Sequence, residues 1–113
     1  MPSATSYAPG DLLLVAFPFS SGSFVKVRPA LVVVDTGDSD VVVARVTTQL
    51  HQTPHDVRLA DWQGAGLLGP SVARLHKLAT LEKTLVRRKL GHLRAADKAG
   101  IAVAWRRICE QWR

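Results

Sequence analysis

The sequence predicts a mostly β protein, a small, strongly bent antiparallel sheet or barrel of α+β type with one C-terminal helix. Three observations carry this. Short apolar or β-branched runs recur between turn signals, in GDLLLVAFPF, KVRPALVVV and VVVARVT. Two later stretches, SVARLHKL and LVRRKLGHL, alternate apolar with basic residues, as strands do with one face in the core and one in water. Only the last segment changes period: Ile101, Trp105, Ile108 and Trp112 recur at spacings of four, three and four, one stripe of a helix.

Taken in order, Gly10 to Phe19 holds a first strand of about six residues, with Pro18 near its end, and SSGS at 20–23 is a loop. Pro29 to Asp35 is the second strand, too continuously apolar to alternate and so covered on both faces. Proline donates no ladder hydrogen bond, so Pro29 marks a strand's beginning. The residue before a proline is pushed toward extended backbone, which leaves Arg28 at the sheet's rim. The turn TGDSD leads into Val41 to Thr47, antiparallel to the second strand, and Asp35, Asp38 and Asp40 cap backbone amides around it. Residues 48–70 are polar and turn-rich, with Asp56 to Leu59 as an edge strand. Leu78 to Thr84 joins the two alternating strands, and Ala95 to Trp112 is the helix.

A chain of 113 residues supports one core, so 1–113 is read as a single domain. The run LLLVAF is too short for a signal segment or a membrane span, and one cysteine, Cys109, fits a reducing compartment; a cytoplasmic protein is expected. Residues 1–70 carry four basic and six acidic side chains, whereas residues 71–113 carry eleven basic and three acidic, a local net of +8 within an overall +6. The C-terminal third carries the field that would attract a polyanion, either nucleic acid or an acidic protein, and on charge alone it could equally be a solvated basic face with no ligand.

Most site constellations are missing. His51 and His55 form the one near pair of metal-ligand residues, but Pro54 between them argues against a helical pair, and they read as exposed loop histidines. No phosphate-binding or dinucleotide glycine pattern and no nucleophile elbow appears. Neither metal nor cofactor is expected. What remains is polar residues at strand ends. The start of one strand of a hairpin lies beside the end of the next, so Arg28 and Thr47 could face one phosphodiester, the guanidinium and hydroxyl supplying donors. From the residues alone, Arg28 could equally be a solubility charge and Thr47 an ordinary strand threonine.

The ordered series GDLLLVAFPF, K-x-RPALVVV, VVVARVTTQ, PSVARLHKLATLEKTLVRRKLGHL and a closing helix begun by AAD resembles the MazF/PemK-like toxins of type II toxin-antitoxin systems over nearly the whole chain. The resemblance implies a CcdB/MazF-like fold, an SH3-like barrel with a C-terminal helix, assembled as a homodimer. It implies a sequence-specific, metal-independent endoribonuclease of the mRNA interferase type. Such an enzyme cuts single-stranded RNA by attack of the 2′-hydroxyl, leaving 2′,3′-cyclic phosphate and 5′-hydroxyl ends. The family's catalytic arginine and threonine fall on Arg28 and Thr47. Its RNA-contacting positions fall on Phe19, Ser20, Ser21, Gly22, Ser23, Lys26, Thr48, Gln49 and the turn at His76 and Lys77. A cognate acidic antitoxin would meet Arg87, Arg88 and Lys89, of which an alternating strand turns only some outward. His76 stands where relatives frequently carry an acid, so the cleavage sequence does not carry over. Arg94 stands where they often carry a serine helix cap. Two other readings stay open: a gyrase-poisoning, CcdB-like toxin, which Trp112-Arg113 matches poorly, and a catalytically idle member that only binds RNA or antitoxin.

Overall fold

The computed structural model describes residues 5–18 and 25–113. Its strands are β1 (Asp11–Pro18), β2 (Val25–Val34), β3 (Asp40–Thr47), β4 (Asp56–Leu59), β5 (Ser71–Glu82) and β6 (Val86–His92), followed by helix α1 (Ala95–Cys109). Among the described residues they form one antiparallel sheet in the order β4-β5-β3-β2-β1-β6. This is the bent sheet with a terminal helix that the sequence predicts.

Alternation along the strands sorts apolar side chains onto two faces. Leu12, Leu31, Ala44, Val46, Ala73 and Leu75 meet Ile101 and Ala104 of α1. Leu13, Val15, Ala30, Val32, Val41 and Val43 form a second cluster, against which Ala79 and Leu81 pack. Both faces are buried, as the unbroken apolar runs require. Leu12, Leu31 and Leu75 are almost wholly buried, and each such side chain contributes about 1.5–3 kcal/mol.

Three expectations are corrected. First, β2 starts at Val25 and ends at Val34, so Pro29 is an interior strand residue. It pairs with Leu14 of β1, while the ladder to β3 begins only at Ala30. One flanking ladder has ended there, an edge position that tolerates a missing donor. Asp35 lies past the strand, where it accepts the Tyr7 and Gly37 N–H groups at 2.8 and 2.9 Å. Second, LATLE does not join two strands; β5 runs unbroken through it to Glu82, and a short 3₁₀ turn at Lys83–Leu85 makes the connection.

The cause lies in the register. Residues 78–82 pair with β3 in one frame and Arg74 to Val72 in another, the frames differing by the three residues Leu75, His76 and Lys77. An odd offset turns the alternation over, so that Ala73 and Leu75 face the helix while Ala79 and Leu81 face the second cluster. Third, the helix stops at Cys109, and Glu110–Trp112 is a 3₁₀ turn. Its three residues per turn rotate Trp112 off the stripe, leaving it 87% exposed.

Arg94 at the helix N-cap makes no side-chain cap bond. Asp97 in the first turn is buried and accepts the N–H groups of Ala60 and Asp61, both at 2.9 Å, which ties the 60–69 loop to the helix start. The loop then crosses β6 closely: an added Cβ at Gly66 would strike the Leu90 carbonyl, and one at Gly91 the Ala65 carbonyl.

Candidate functional site

The pairing on both sides of β3 breaks at one level. The β2–β3 ladder ends at Ala30–Arg45, and the three-residue offset in β5 falls between the partners of Ala44 and Arg45. The end of one ladder and the bulge in the other leave a groove of about 340 Å³. Phe17, Val43, Leu78 and Ala79 give it an apolar floor, and Lys26, Arg28, Arg45 and Lys77 surround it with cations. Among the described residues no carboxylate lines it. Positive charge around a concave, low-dielectric surface focuses the field and favours an anionic ligand.

Each cation arrives by strand alternation. Lys26 and Arg28 continue the set of Ala30 and Val32, and Arg45 continues that of Val41 and Val43, which point to the second cluster's face. Lys77 is supplied by the offset in β5. Arg28 and Arg45 are exposed and have no hydrogen-bond or ion-pair partner among the described residues.

Thr47 does not line the groove. It ends β3 two residues past Arg45, on the same face, and its hydroxyl oxygen accepts the Gln49 N–H at 3.1 Å. That bond fixes the side chain, and a hydroxyl that accepts one bond still has its proton to donate. Arg28 and Thr47 each stand two residues beyond the Ala30–Arg45 pair, opposed in register but past the end of the ladder. Thr48 and Gln49 are exposed in the bend that follows. Phe19, Ser20, Ser21, Gly22 and Ser23 lie outside the described residues.

His76 and Lys77 are strand residues in the β5 offset, which corrects the expected turn. His76 Nε2 lies 3.3 Å from Arg74 Nη2, and its ring centroid is 5.5 Å from that of His55. Partial burial, then the Arg74 charge, lowers the pKa of His76, an effect that Asp56 only partly offsets. Arg74 itself is paired, its Nε 2.8 Å from Asp56 Oδ1. Burial works against the Asp56 carboxylate, but the Thr53 hydroxyl, Arg74 and the Thr53 N–H outweigh it and hold the pKa at about 2.

Arg87, Arg88 and Lys89 occupy the β6 edge, and all three are exposed. The expectation that only some would face outward fails because two register shifts leave Arg87 and Leu90 outside the pairing with β1. Lys89 Nζ lies 3.1 Å from Asp11 Oδ1, which also takes His92 Nδ1 at 2.7 Å. Among the described residues no three His, Cys, Asp or Glu side chains converge as metal ligands would, and no helix is long and apolar enough to cross a membrane.

Sequence reasoning missed Arg45, Phe17, Leu78 and Ala79. The signal for Arg45 was its parity: in VVVARVT it shares a face with Val43 and Thr47, so a cation there is either buried or at an opening.

Compared with protein-family models, residues 8–108 match the PemK-like, MazF-like toxin of type II toxin-antitoxin systems. The chain belongs to this family. No curated protein sequence matches the chain. Solved structures similar to this PemK/MazF-like toxin include the Mycobacterium tuberculosis toxin MazF-mt6, 22% identical over 83% of this chain and 90% of that one, with a TM-score of 0.69. MazF from Deinococcus radiodurans is 20% identical over 93% and 99% of the two chains, TM-score 0.68. A mycobacterial endoribonuclease in complex with its cognate antitoxin is 20% identical over 88% and 90%, TM-score 0.69. At these identities the likeness establishes a shared MazF-type fold.

Proposed function

We propose that this toxin is a sequence-specific, metal-independent endoribonuclease for single-stranded RNA, acting as a cytoplasmic homodimer held in check by a cognate acidic antitoxin. The observation that carries this reading is the cationic groove with Arg28 unpaired at its rim, in a chain of the PemK/MazF-like family. Similar structures that include endoribonucleases, one of them with its antitoxin, support it.

In the reaction the substrate's own 2′-hydroxyl loses its proton and attacks the adjacent phosphorus. The bond to the 5′-oxygen breaks and that oxygen takes up a proton, leaving a 2′,3′-cyclic phosphate and a 5′-hydroxyl. Charge gathers on the non-bridging oxygens in the transition state, and a preorganised donor there is worth about 3 to 4 kcal/mol. Arg28 serves as an electrostatic stabiliser, its guanidinium donating hydrogen bonds to those oxygens. Thr47 donates its hydroxyl proton to the same phosphate. Lys26, Lys77, His76, Thr48, Gln49 and the segment Phe19 to Ser23 hold the neighbouring nucleotides. Single-stranded RNA is read through splayed, stacked bases, and Phe17 on the groove floor offers a stacking surface. The acidic antitoxin segment is drawn to Arg87, Arg88 and Lys89.

The test is to incubate the purified protein with EDTA and a long, mostly unstructured RNA and to map the new ends. Cuts at one short sequence with cyclic-phosphate and 5′-hydroxyl ends, absent with Arg28→Ala, are expected. Intact RNA with a folded, antitoxin-free protein would overturn the reading.

A further inference from the structure

Arg45 and Arg74 face each other directly across β3 and β5, a like-charge pair of the kind that destabilises a sheet. Only one of them is neutralised. Arg74 is held by Asp56 at 2.8 Å, its side chain 12% exposed and that of Asp56 1%. Arg45 is exposed, lines the groove and has no partner among the described residues. A guanidinium left open beside a second arginine, over an apolar floor, is a site that awaits an anion.

The register also fixes where Arg45 stands relative to Arg28. Arg45 is the cross-strand partner of Ala30, and Arg28 is two residues earlier on β2. The two are diagonal neighbours on one face, with Arg28 beyond the last rung of the ladder, so their spacing is at least the roughly 7–8 Å of a paired diagonal. Two bidentate donors at that spacing suit successive phosphates of one nucleic-acid strand better than one shared phosphate.

We propose that Arg45 anchors a second phosphate subsite, binding the phosphodiester adjacent to the one that Arg28 holds, so that the RNA backbone runs diagonally from β2 to β3 across the groove. This rests on the ribonuclease reading above and extends it. Arg45 is a binding and positioning residue, since it holds a phosphate that does not react. An RNA strand is favoured over an acidic peptide because the floor between the cations includes Phe17, on which a base can stack.

The experiment measures binding of a fluorescein-labelled, mixed-sequence 2′-O-methyl oligoribonucleotide, which cannot be cleaved, to wild type, Arg45→Gln, Arg45→Lys and the helix-surface control Arg107→Gln, over a range of salt. Cleavage kinetics on unmodified RNA and thermal melting accompany it. For single strands each phosphate contact contributes about 0.7 to the slope of log K against log salt. Arg45→Gln is expected to lower that slope by about this amount and to weaken binding roughly tenfold. It should raise KM while leaving kcat within about threefold, at an unchanged melting temperature. Arg45→Lys should restore the slope, and Arg107→Gln should match wild type. An unchanged slope in a folded Arg45→Gln variant would overturn the subsite alone. Loss of affinity for poly-glutamate with RNA binding intact would give the position to an acidic protein instead. A wild type that neither binds nor cleaves RNA would remove the ribonuclease reading and the subsite together.

Discussion

The molecule carries two exposed basic regions, and they differ in how the sequence assembles them. On the β6 edge, Arg87, Arg88 and Lys89 are consecutive, and Lys89 reaches the buried Asp11. In the groove, Lys26, Arg28, Arg45 and Lys77 come from three strands and converge on an apolar floor. A charge run on an edge strand has an ordinary purpose as well, since it discourages pairing with a second sheet. Cations gathered around a concavity have no such purpose. The comparison teaches that the visible run is the less specialised feature, and that the groove is built where one ladder ends and the other shifts register at Arg45.

The strongest way to break the comparison is Arg28→Ala against a triple Arg87→Gln, Arg88→Gln, Lys89→Gln variant. The first is expected to lower kcat for RNA cleavage by about 10²–10³, the typical loss for one oxyanion donor. The triple variant should cleave within about threefold of wild type and instead slow association with an acidic antitoxin in a salt-dependent way. Equal losses in cleavage would erase the distinction.

A second contrast uses the paired arginine. Asp56→Asn removes the partner of Arg74 and should lower stability by about 3 kcal/mol, measured by urea unfolding. The same change frees a cation on β5 directly opposite Arg45 of the groove, so RNA affinity should rise while stability falls. If both fell together, Arg74 would have no electrostatic reach into the groove.

Smaller is the pH effect. Asp56 is held at about 2, and Asp11 and Asp35 are also lowered. For Asp11 burial opposes the shift, but the Ala8 N–H, His92 and Lys89 prevail; for Asp35 the Tyr7 N–H leads. Depressed folded-state values mean that the stabilisation is complete above the ordinary aspartate range, near pH 4, and is lost as pH falls toward 2. Asp56 alone accounts for about 2 kcal/mol of that loss. A melting temperature flat from pH 4 to 2 would contradict the described hydrogen bonds.

Much of this was legible in the sequence, for physical reasons. The edge strand Asp56–Leu59, the hairpin around TGDSD and the helix start at Ala95 follow from turn residues and periodicity. Arg28 stood out because the proline after it marked a boundary. Pro29 then proved to be interior, since losing one ladder makes an edge inside a strand. The unbroken β5 was hidden by a three-residue offset, which no period-2 reading survives. Arg45 was hidden by its apolar neighbours, which suggested a core strand with no opening. Linear charge misled as well. Three of the four groove cations come from residues 1–70, whose net is acidic, because Asp11, Asp35 and Asp56 are bound to Lys89, Lys83 and Arg74.

The most direct test of the central claim is an NMR titration of the arginine Nε–Hε signals with the 2′-O-methyl oligoribonucleotide. The signals of Arg28 and Arg45 should shift first and saturate together, with those of Arg87 and Arg88 nearly unmoved. Shifts confined to Arg87 and Arg88, with the groove arginines silent, would contradict the account.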